Sequence, residues 1–364
     1  MRVGIDARIA DYTAGGIAQY TRQLATWLPR LAPTDHFTLY RARRASQHWS
    51  PPGPSRQRRL LTPPHHRWEQ VLLPIELAAE PIDLLHGPDF AVPRRRRCPA
   101  VVTVHDLAFL RYPEILTAES RRHYRQACDS LASVERIIAD SHHTAADLQE
   151  LLAVPADRIR VVHLAPTPLG PPPAPEAVAA VRQRYQLEAP FLLYVGTLEP
   201  RKNLGTLLRA FARVRSREAV RLVLAGPRGW LDEPIVAEAA RHGERVRLLG
   251  PVPADALAAL YAAAAAFVFP SLYEGFGLPP LEAMAAGTPV VAARASCLPE
   301  VLGDAALLVP PLDEEALAEA LRAVLADPAL RADLRARGKA RAAAFSWERT
   351  ATATLGVYRE VLGG

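Results

Sequence analysis

The sequence predicts two α/β domains, each a doubly wound, parallel sheet covered by helices on both faces. Three observations carry this expectation. At 364 residues the chain is longer than one ordinary domain. Short, continuous apolar runs alternate with stretches of helical periodicity, the signature of parallel strands buried on both faces. That alternation runs once, stops at a proline-rich segment, and begins again.

The first series opens with Arg2–Arg8, RVGIDAR, as a buried strand. A loop from Ile9 follows, ending in Gly15-Gly16. A helix over Ile17–Leu28 and a strand at Phe37–Tyr40 come next. Residues 41–68, rich in Arg, Pro, Ser and His, read as irregular and mobile, with a short strand at Arg59–Thr62. Trp68–Ala79 reads as a helix despite Pro74. Ile82–His86, Ala100–His105, Arg136–Asp140 and Ile159–Leu164 read as strands, Thr117–Ser133 as an amphipathic helix, and Ser141 as a helix cap.

Ala165–Pro175, APTPLGPPPAP, is the clearest linker: seven of its eleven residues are Pro or Gly, which makes it extended and stiff. The domains are therefore set at 1–167 and 176–347, with the linker proper at 168–175. A last helix, about 348–364, returns to the first domain. In the second series, strands are expected at Phe191–Val195, Arg221–Ala225, Arg245–Leu249, Ala266–Pro270, Pro289–Ala293 and Ala306–Val309. Helices are expected at Asn203–Arg215, at Asp255–Ala265 with Asp255 as its cap, and from Leu278 to Gly287. Two such Rossmann-like domains are expected to face each other across a cleft, with ligands at the carboxyl ends of the strands.

Composition narrows the classes. The chain is 49% hydrophobic and 23% charged, enough for two ample cores. Cys98, Cys128 and Cys297 are scattered without a CxxC, which points to a reduced, cytosolic protein without disulfides or a zinc site. The first residues read as a strand rather than a targeting segment, and no apolar run approaches the ~18–20 residues of a membrane span. Residues 1–170 hold 22 basic against 17 acidic residues, so most of the net charge of +6 sits in the first half. Arg94–Arg97 and the arginines between 41 and 59 form the main clusters. They read either as a solvated face or as a site for anionic lipid head groups or a polyanionic acceptor. No nucleic-acid-binding module accompanies them. Lys202 and Lys339 are the only lysines.

Glu274 and Glu282 lie eight residues apart in YEGFGLPPLEAMAAGTPVV, the first in a loop and the second in the first turn of a helix. With Gly196-Thr197-Leu-Glu-Pro-Arg201-Lys202-Asn-Leu, Gly15-Gly16-Ile17 and Val104-His105-Asp106-Leu107, this segment resembles the retaining GT-B glycosyltransferases of the glycosyl transferases group 1 class (the GT4 type), over roughly residues 1 to 350. The resemblance implies a GT-B architecture, an acceptor-binding first domain and a nucleotide-sugar-binding second domain. Arg201 and Lys202 would carry the charge of a departing diphosphate. Gly15, Gly16, Gly196 and Thr197 would bring backbone N–H groups to the donor phosphates. Glu282 would hold the ribose hydroxyls and Glu274 the donor sugar, beside Phe276, Gly277 and Leu278. Val252 would lie near the base, and His105 would help orient the sugar. His86 is a weaker candidate.

There is no Asp-x-Asp for a metal-bound diphosphate, and the resemblance implies a metal-independent enzyme with no cofactor beyond its nucleotide-sugar donor. GIDAR, VHDL and YVGTLEPRKNL are most similar to bacterial mannosyltransferase-like members. GDP-mannose is therefore the first expected donor, ahead of UDP-glucose and UDP-N-acetylglucosamine. The acceptor would be a glycan or lipid-linked hydroxyl, in polysaccharide or glycolipid synthesis at the cytosolic face of the membrane. A GT-B-fold sugar-nucleotide epimerase and a non-catalytic nucleotide-sugar sensor are the competing readings.

Overall fold

The computed structural model of the chain describes every residue except 14, 45–48, 51–52, 54, 67, 116–117, 215–218 and 364, and only the backbone of 115, 118–123 and 126. The chain divides into two compact units, Met1–Leu164 with Ser346–Gly364, and Ala165–Phe345. The division falls just before the proline-rich stretch, and Pro175 is already the first residue of a helix, Pro175–Arg184, where its missing N–H costs nothing.

The first unit is built on seven strands: β1 (Arg2–Asp6), β2 (His36–Ala42), β3 (Arg56–Leu60), β4 (Leu84–Gly87), β5 (Ala100–Val104), β6 (Arg136–Ala139) and β7 (Ile159–Val161). They form one sheet in the order β3-β2-β1-β4-β5-β6-β7, and the paired strands are parallel. β4 and β5 are buried throughout and β1 at its three central residues, as strands covered on both faces require. β3 lies three residues earlier than the sequence suggests, and β2 runs on to Ala42, so part of the stretch read as irregular is sheet. The reason is pairing: Arg56–Leu60 is mostly polar, yet as an edge strand it needs only β2 beside it. Residues 45–48, 51, 52, 54 and 67 of that stretch lie outside the described residues.

The helix Trp347–Leu362 belongs to this unit. Trp347, Thr350, Ala351, Thr354, Leu355 and Tyr358 share one buried face, the spacing of a core-facing helix. Ser346 caps it by accepting from the Arg349 N–H, and Glu360 pairs with Arg136 and Arg160.

The second unit has six parallel strands: β8 (Phe191–Val195), β9 (Arg221–Ala225), β10 (Val246–Gly250), β11 (Ala266–Phe269), β12 (Val290–Ala293) and β13 (Ala306–Val309). Their order is β10-β9-β8-β11-β12-β13. The chain therefore moves one way from β8 and the other way from β11, which makes the gap between them the topological switch point. In the first unit the switch lies between β1 and β4.

Two helix starts differ from the sequence reading. Ala254–Ala263 begins after Pro253, so Asp255 sits inside its first turn and complements the helix dipole without capping it. The helix Leu278–Ala285 starts after Gly277, which places Glu282 fifth, beyond the first turn.

Candidate functional site

In the second unit the two loops that flank the switch point carry the predicted donor residues. β8 ends at Val195 and leads into Gly196–Lys202; β11 ends at Phe269 and leads into Pro270–Gly277. Because β8 and β11 are neighbours in the sheet, segments about seventy residues apart in sequence meet here. The Leu272 N–H donates to the Arg201 carbonyl at 2.9 Å and ties the loops together.

Gly196 and Gly226 also require their residue type. Gly196 has φ +154°, and a Cβ on Gly226 would stand 2.0 Å from the Gly196 carbonyl oxygen, closer than any atom can come. The loops after β8 and β9 thus touch backbone to backbone. Thr197 follows, with its carbonyl accepting from the Tyr194 hydroxyl at 3.0 Å.

At the centre is a buried cluster of alternating charge. Lys202 Nζ donates to Glu274 Oε1 at 2.6 Å, and Arg201 reaches Glu274 Oε2 at 3.3 Å and Glu199 Oε1 at 2.8 Å. Ser271 Oγ also donates to Glu274 Oε1, at 2.6 Å, and Ser296 Oγ accepts from the Glu274 N–H at 2.9 Å. Lys202 lies 5.5 Å from the Phe269 ring centroid, so its charge also meets an aromatic face. Burial pushes the Glu274 carboxyl up, but Lys202 and Arg201 overcome it and hold the pKa below the ordinary carboxylate value. Glu274 is therefore an anion that keeps two cations in place. Of the three Lys202 N–H groups, one is given to Glu274, leaving donors for an incoming anion.

Glu282 has a different environment. It is buried; Tyr261 donates to its Oε2 at 3.0 Å, and Thr167 also hydrogen-bonds to it. Burial raises its pKa against the pull of these bonds. Gly277, with φ +89°, turns the chain into the helix. Pro279 and Pro280 remove two of the N–H groups that a helix start usually offers, so this terminus is a poor anion site. Phe276 is buried with its ring edge-on to Phe345, Leu278 is half-buried, and Val252 is half-buried just beyond β10. Exchanging Glu282 for Gln keeps the shape and the Tyr261 contact but removes the charge. If this group holds ribose hydroxyls, affinity for free nucleotide drops roughly 10- to 100-fold, the worth of bonds to a charged acceptor. Titration calorimetry giving an unchanged Kd would refute the ribose role.

In the first unit, His105 follows β5. Its Nδ1 pairs with Asp140 Oδ2 at 2.7 Å, its Nε2 with the Pro88 carbonyl at 2.8 Å, and Tyr20 packs edge-on at 5.0 Å. Burial lowers the imidazole pKa, but Asp140 more than offsets this and lifts it to about 9. His105 is thus an imidazolium at neutral pH, with both N–H groups donating. Asp140 directly follows β6, is buried, and leaves Oδ1 without a partner. His86 is wholly buried between Tyr358 and Thr103, 2.6 and 2.9 Å away, and burial depresses its pKa to about 3; it is a neutral core residue. Asp106 accepts from the Ala108 N–H at 2.9 Å. Gly15 and Gly16 are exposed at the start of the helix Gly16–Leu31, which lacks a side-chain cap and so offers its first N–H groups.

Sequence reasoning missed Asp140 as the partner of His105, although Asp140-Ser141 stood out as a strand end; Ser141 does cap the next helix. It also missed Glu199, Ser271, Ser296 and Tyr261. Glu199, inside the quoted loop motif, and Ser271, at the edge of the segment around Glu274, left a signal; Ser296 and Tyr261 left none.

These paired doubly wound units, one with an anion-ready cluster at its switch point, have the build of a sugar-nucleotide transferase. Residues 180–341 match the family model described as glycosyl transferases group 1, and residues 14–165 match glycosyltransferase family 4. The O-antigen chain mannosyltransferase B of Escherichia coli is 40% identical over 283 residues, covering 76% of this chain and 74% of that protein. A D-inositol 3-phosphate glycosyltransferase of Acidothermus cellulolyticus is 34% identical, covering 72% of this chain and 62% of its own length. Sucrose-phosphate synthase of Thermosynechococcus elongatus shares the fold with a TM-score of 0.78 and 25% identity, covering 100% of this chain and 99% of that one. The chain belongs to the group 1, family 4 glycosyltransferases.

Proposed function

We propose that the chain transfers mannose from GDP-mannose, with retained anomeric configuration, to a hydroxyl of a glycan or lipid-linked acceptor. The observation that carries this reading is the Lys202–Glu274–Arg201 cluster at the second switch point, and the likeness to an O-antigen mannosyltransferase supports the sugar. The bond from sugar C1 to the diphosphate oxygen breaks, a bond from C1 to the acceptor oxygen forms, and the acceptor proton passes to the departing phosphate oxygen. Lys202 and Arg201 stabilise the charge that grows on that leaving group, a task that needs no metal ion. Glu274 holds the cations and the donor sugar, and Glu282 holds the ribose. His105 contributes a fixed positive charge and helps orient the sugar.

The arginine-rich first half supports peripheral association with the cytosolic face of an anionic membrane. No helix among the described residues is long and apolar enough to cross a membrane.

A screen of sugar nucleotides for thermal stabilisation tests the donor. At a hundredfold excess over Kd, a ligand adds about 2.7 kcal/mol to the folded state. GDP-mannose should raise the melting temperature most and be consumed in excess EDTA only when an acceptor is present. Stabilisation by UDP-sugars alone would replace the donor, and loss of turnover in EDTA would overturn metal independence.

A further inference from the structure

The first unit exposes an apolar helical face that no part of its own core covers. In the helix Glu69–Leu77, Leu73 and Leu77 point inward and are buried. Trp68, Val71, Leu72 and Ile75 point outward, 43–67% exposed, at the i, i+3, i+4, i+7 spacing of one stripe. Leu61, 64% exposed, lies beside them, since its N–H donates to Glu76 on the same helix. Scattered exposed apolar residues are ordinary; five large ones side by side mark a surface that meets something.

The charges around this stripe say what it meets. The acids of the helix are turned away: Glu69 pairs with the buried Arg8, and Glu76 accepts from the backbone at Leu61 and Thr62. Arginines flank the stripe. Gln70, on the helix, accepts from the Arg94 N–H at 3.0 Å, and Arg95–Arg97 share the wall of one cavity with Pro74, Leu77 and Ala78. Arg94, Arg95 and Arg97 are exposed, and among the described residues their side chains make no ion pair. Residues 41–97 hold eleven arginines against five carboxylates, a surplus as large as the net charge of the whole chain. An apolar stripe with Trp at one end, no outward acid and a rim of arginine suits an interface of acyl chains beneath anionic head groups.

We propose that the helix Glu69–Leu77 is the membrane-docking element of this chain: Trp68, Val71, Leu72 and Ile75 enter the head-group region of an anionic bilayer, and Arg94, Arg95 and Arg97 bind its phosphates. This deepens, and rests on, the peripheral association proposed above. It also has a consequence for the acceptor. The amino end of the helix lies at the carboxyl ends of β1 and β4, where Glu69 meets Arg8 and His65 meets Asp89. Docking by this helix sets that end of the first sheet beside the lipid surface, where a lipid-linked acceptor would be presented.

Co-sedimentation with vesicles of phosphatidylcholine containing a third phosphatidylglycerol tests the proposal, using the full chain. The parent protein should bind these vesicles and release as salt rises. Ile75→Glu and Val71→Glu should each lower partitioning at least tenfold. Arg94→Gln/Arg95→Gln/Arg97→Gln should abolish the preference for anionic over neutral vesicles. Leu312→Glu, at an equally exposed apolar residue of the other unit, should change nothing. Turnover of a soluble glycan acceptor should be equal in parent and Ile75→Glu, which separates docking from catalysis. No vesicle binding by the parent, or equal binding by Ile75→Glu, overturns the proposal. So does a concentration-dependent oligomer that Ile75→Glu dissociates, since the stripe would then be a protein interface. Vesicle binding without transfer from any donor would leave the docking helix standing and sink the functional reading.

Discussion

Lys202→Ala is expected to lower kcat by roughly 100- to 1,000-fold, the usual loss when one pre-set donor to a developing anion is removed. It should also destabilise the second unit by about 2 kcal/mol, because a buried Glu274 loses its nearest charge partner. Arg201 and Ser271 still reach Glu274, which keeps the loss below that of a stranded buried ion. The two effects can be separated. In the double variant Lys202→Ala/Glu274→Gln the carboxylate is gone too, so no charge lacks its partner. Stability should return toward the parent value while turnover stays low. Urea melts and steady-state rates on the four proteins of the cycle measure both. If turnover recovers along with stability, Lys202 serves only to hold Glu274. Lys202→Arg is not expected to rescue, since a planar fork does not replace a compact ammonium between Glu274 and the Phe269 ring.

Asp140→Asn is expected to drop the His105 pKa from about 9 to below its ordinary 6.5, because burial then acts with its main opposition removed. The sign follows from linkage. The folded-state pKa of His105 is raised, so the His105–Asp140 pair stabilises the first unit fully below pH 6.5, and that contribution is lost as pH climbs through about 9. In the variant this alkaline loss should be missing. If the imidazolium is needed for turnover, activity at pH 8 should fall at least tenfold and recover as the solution is acidified below pH 6. Titration of the His105 ring by NMR checks the first statement, and the pH–rate profile checks the second. A ring that still titrates near 9 in Asp140→Asn would remove Asp140 as its controlling partner. His105→Gln, neutral at every pH, should be slow throughout and flat.

The fold was readable because short apolar runs such as FLLYV and AFVF can hardly be anything but buried parallel strands, and because the proline-rich stretch breaks the pattern so visibly. Arg56–Leu60 was misjudged because an edge strand carries no such run. The helices Pro175–Arg184 and Glu233–Arg241 escaped notice for a related reason. Their alanines give little contrast between an inner and an outer face.

At the site, the residues that follow strand ends were legible and their pairings were not. Lys202 and Glu274 meet only because β8 and β11 are neighbours, and His105 meets Asp140 only because β5 and β6 are. Strand order is set by packing between distant segments, and one sequence does not record it. The outward stripe on Glu69–Leu77 was hidden differently: the periodicity that marks a helix does not say which of its apolar residues face the core.

The first unit takes its last helix from the far end of the chain, and this bears on the order of synthesis. On the ribosome, Ala165–Phe345 is finished before Ser346–Gly364 is made. The first unit can therefore complete its fold only after every residue of the second has been made, against the usual order in which the amino-terminal part leads. Until Trp347–Leu362 emerges, the first sheet lacks a covering helix, and His86 lacks the Tyr358 hydroxyl that satisfies its Nδ1. A chain truncated after Phe345 would contain every residue of the second unit and lack the last helix of the first. That truncated chain should resist protease in its second unit while its first unit is still cut.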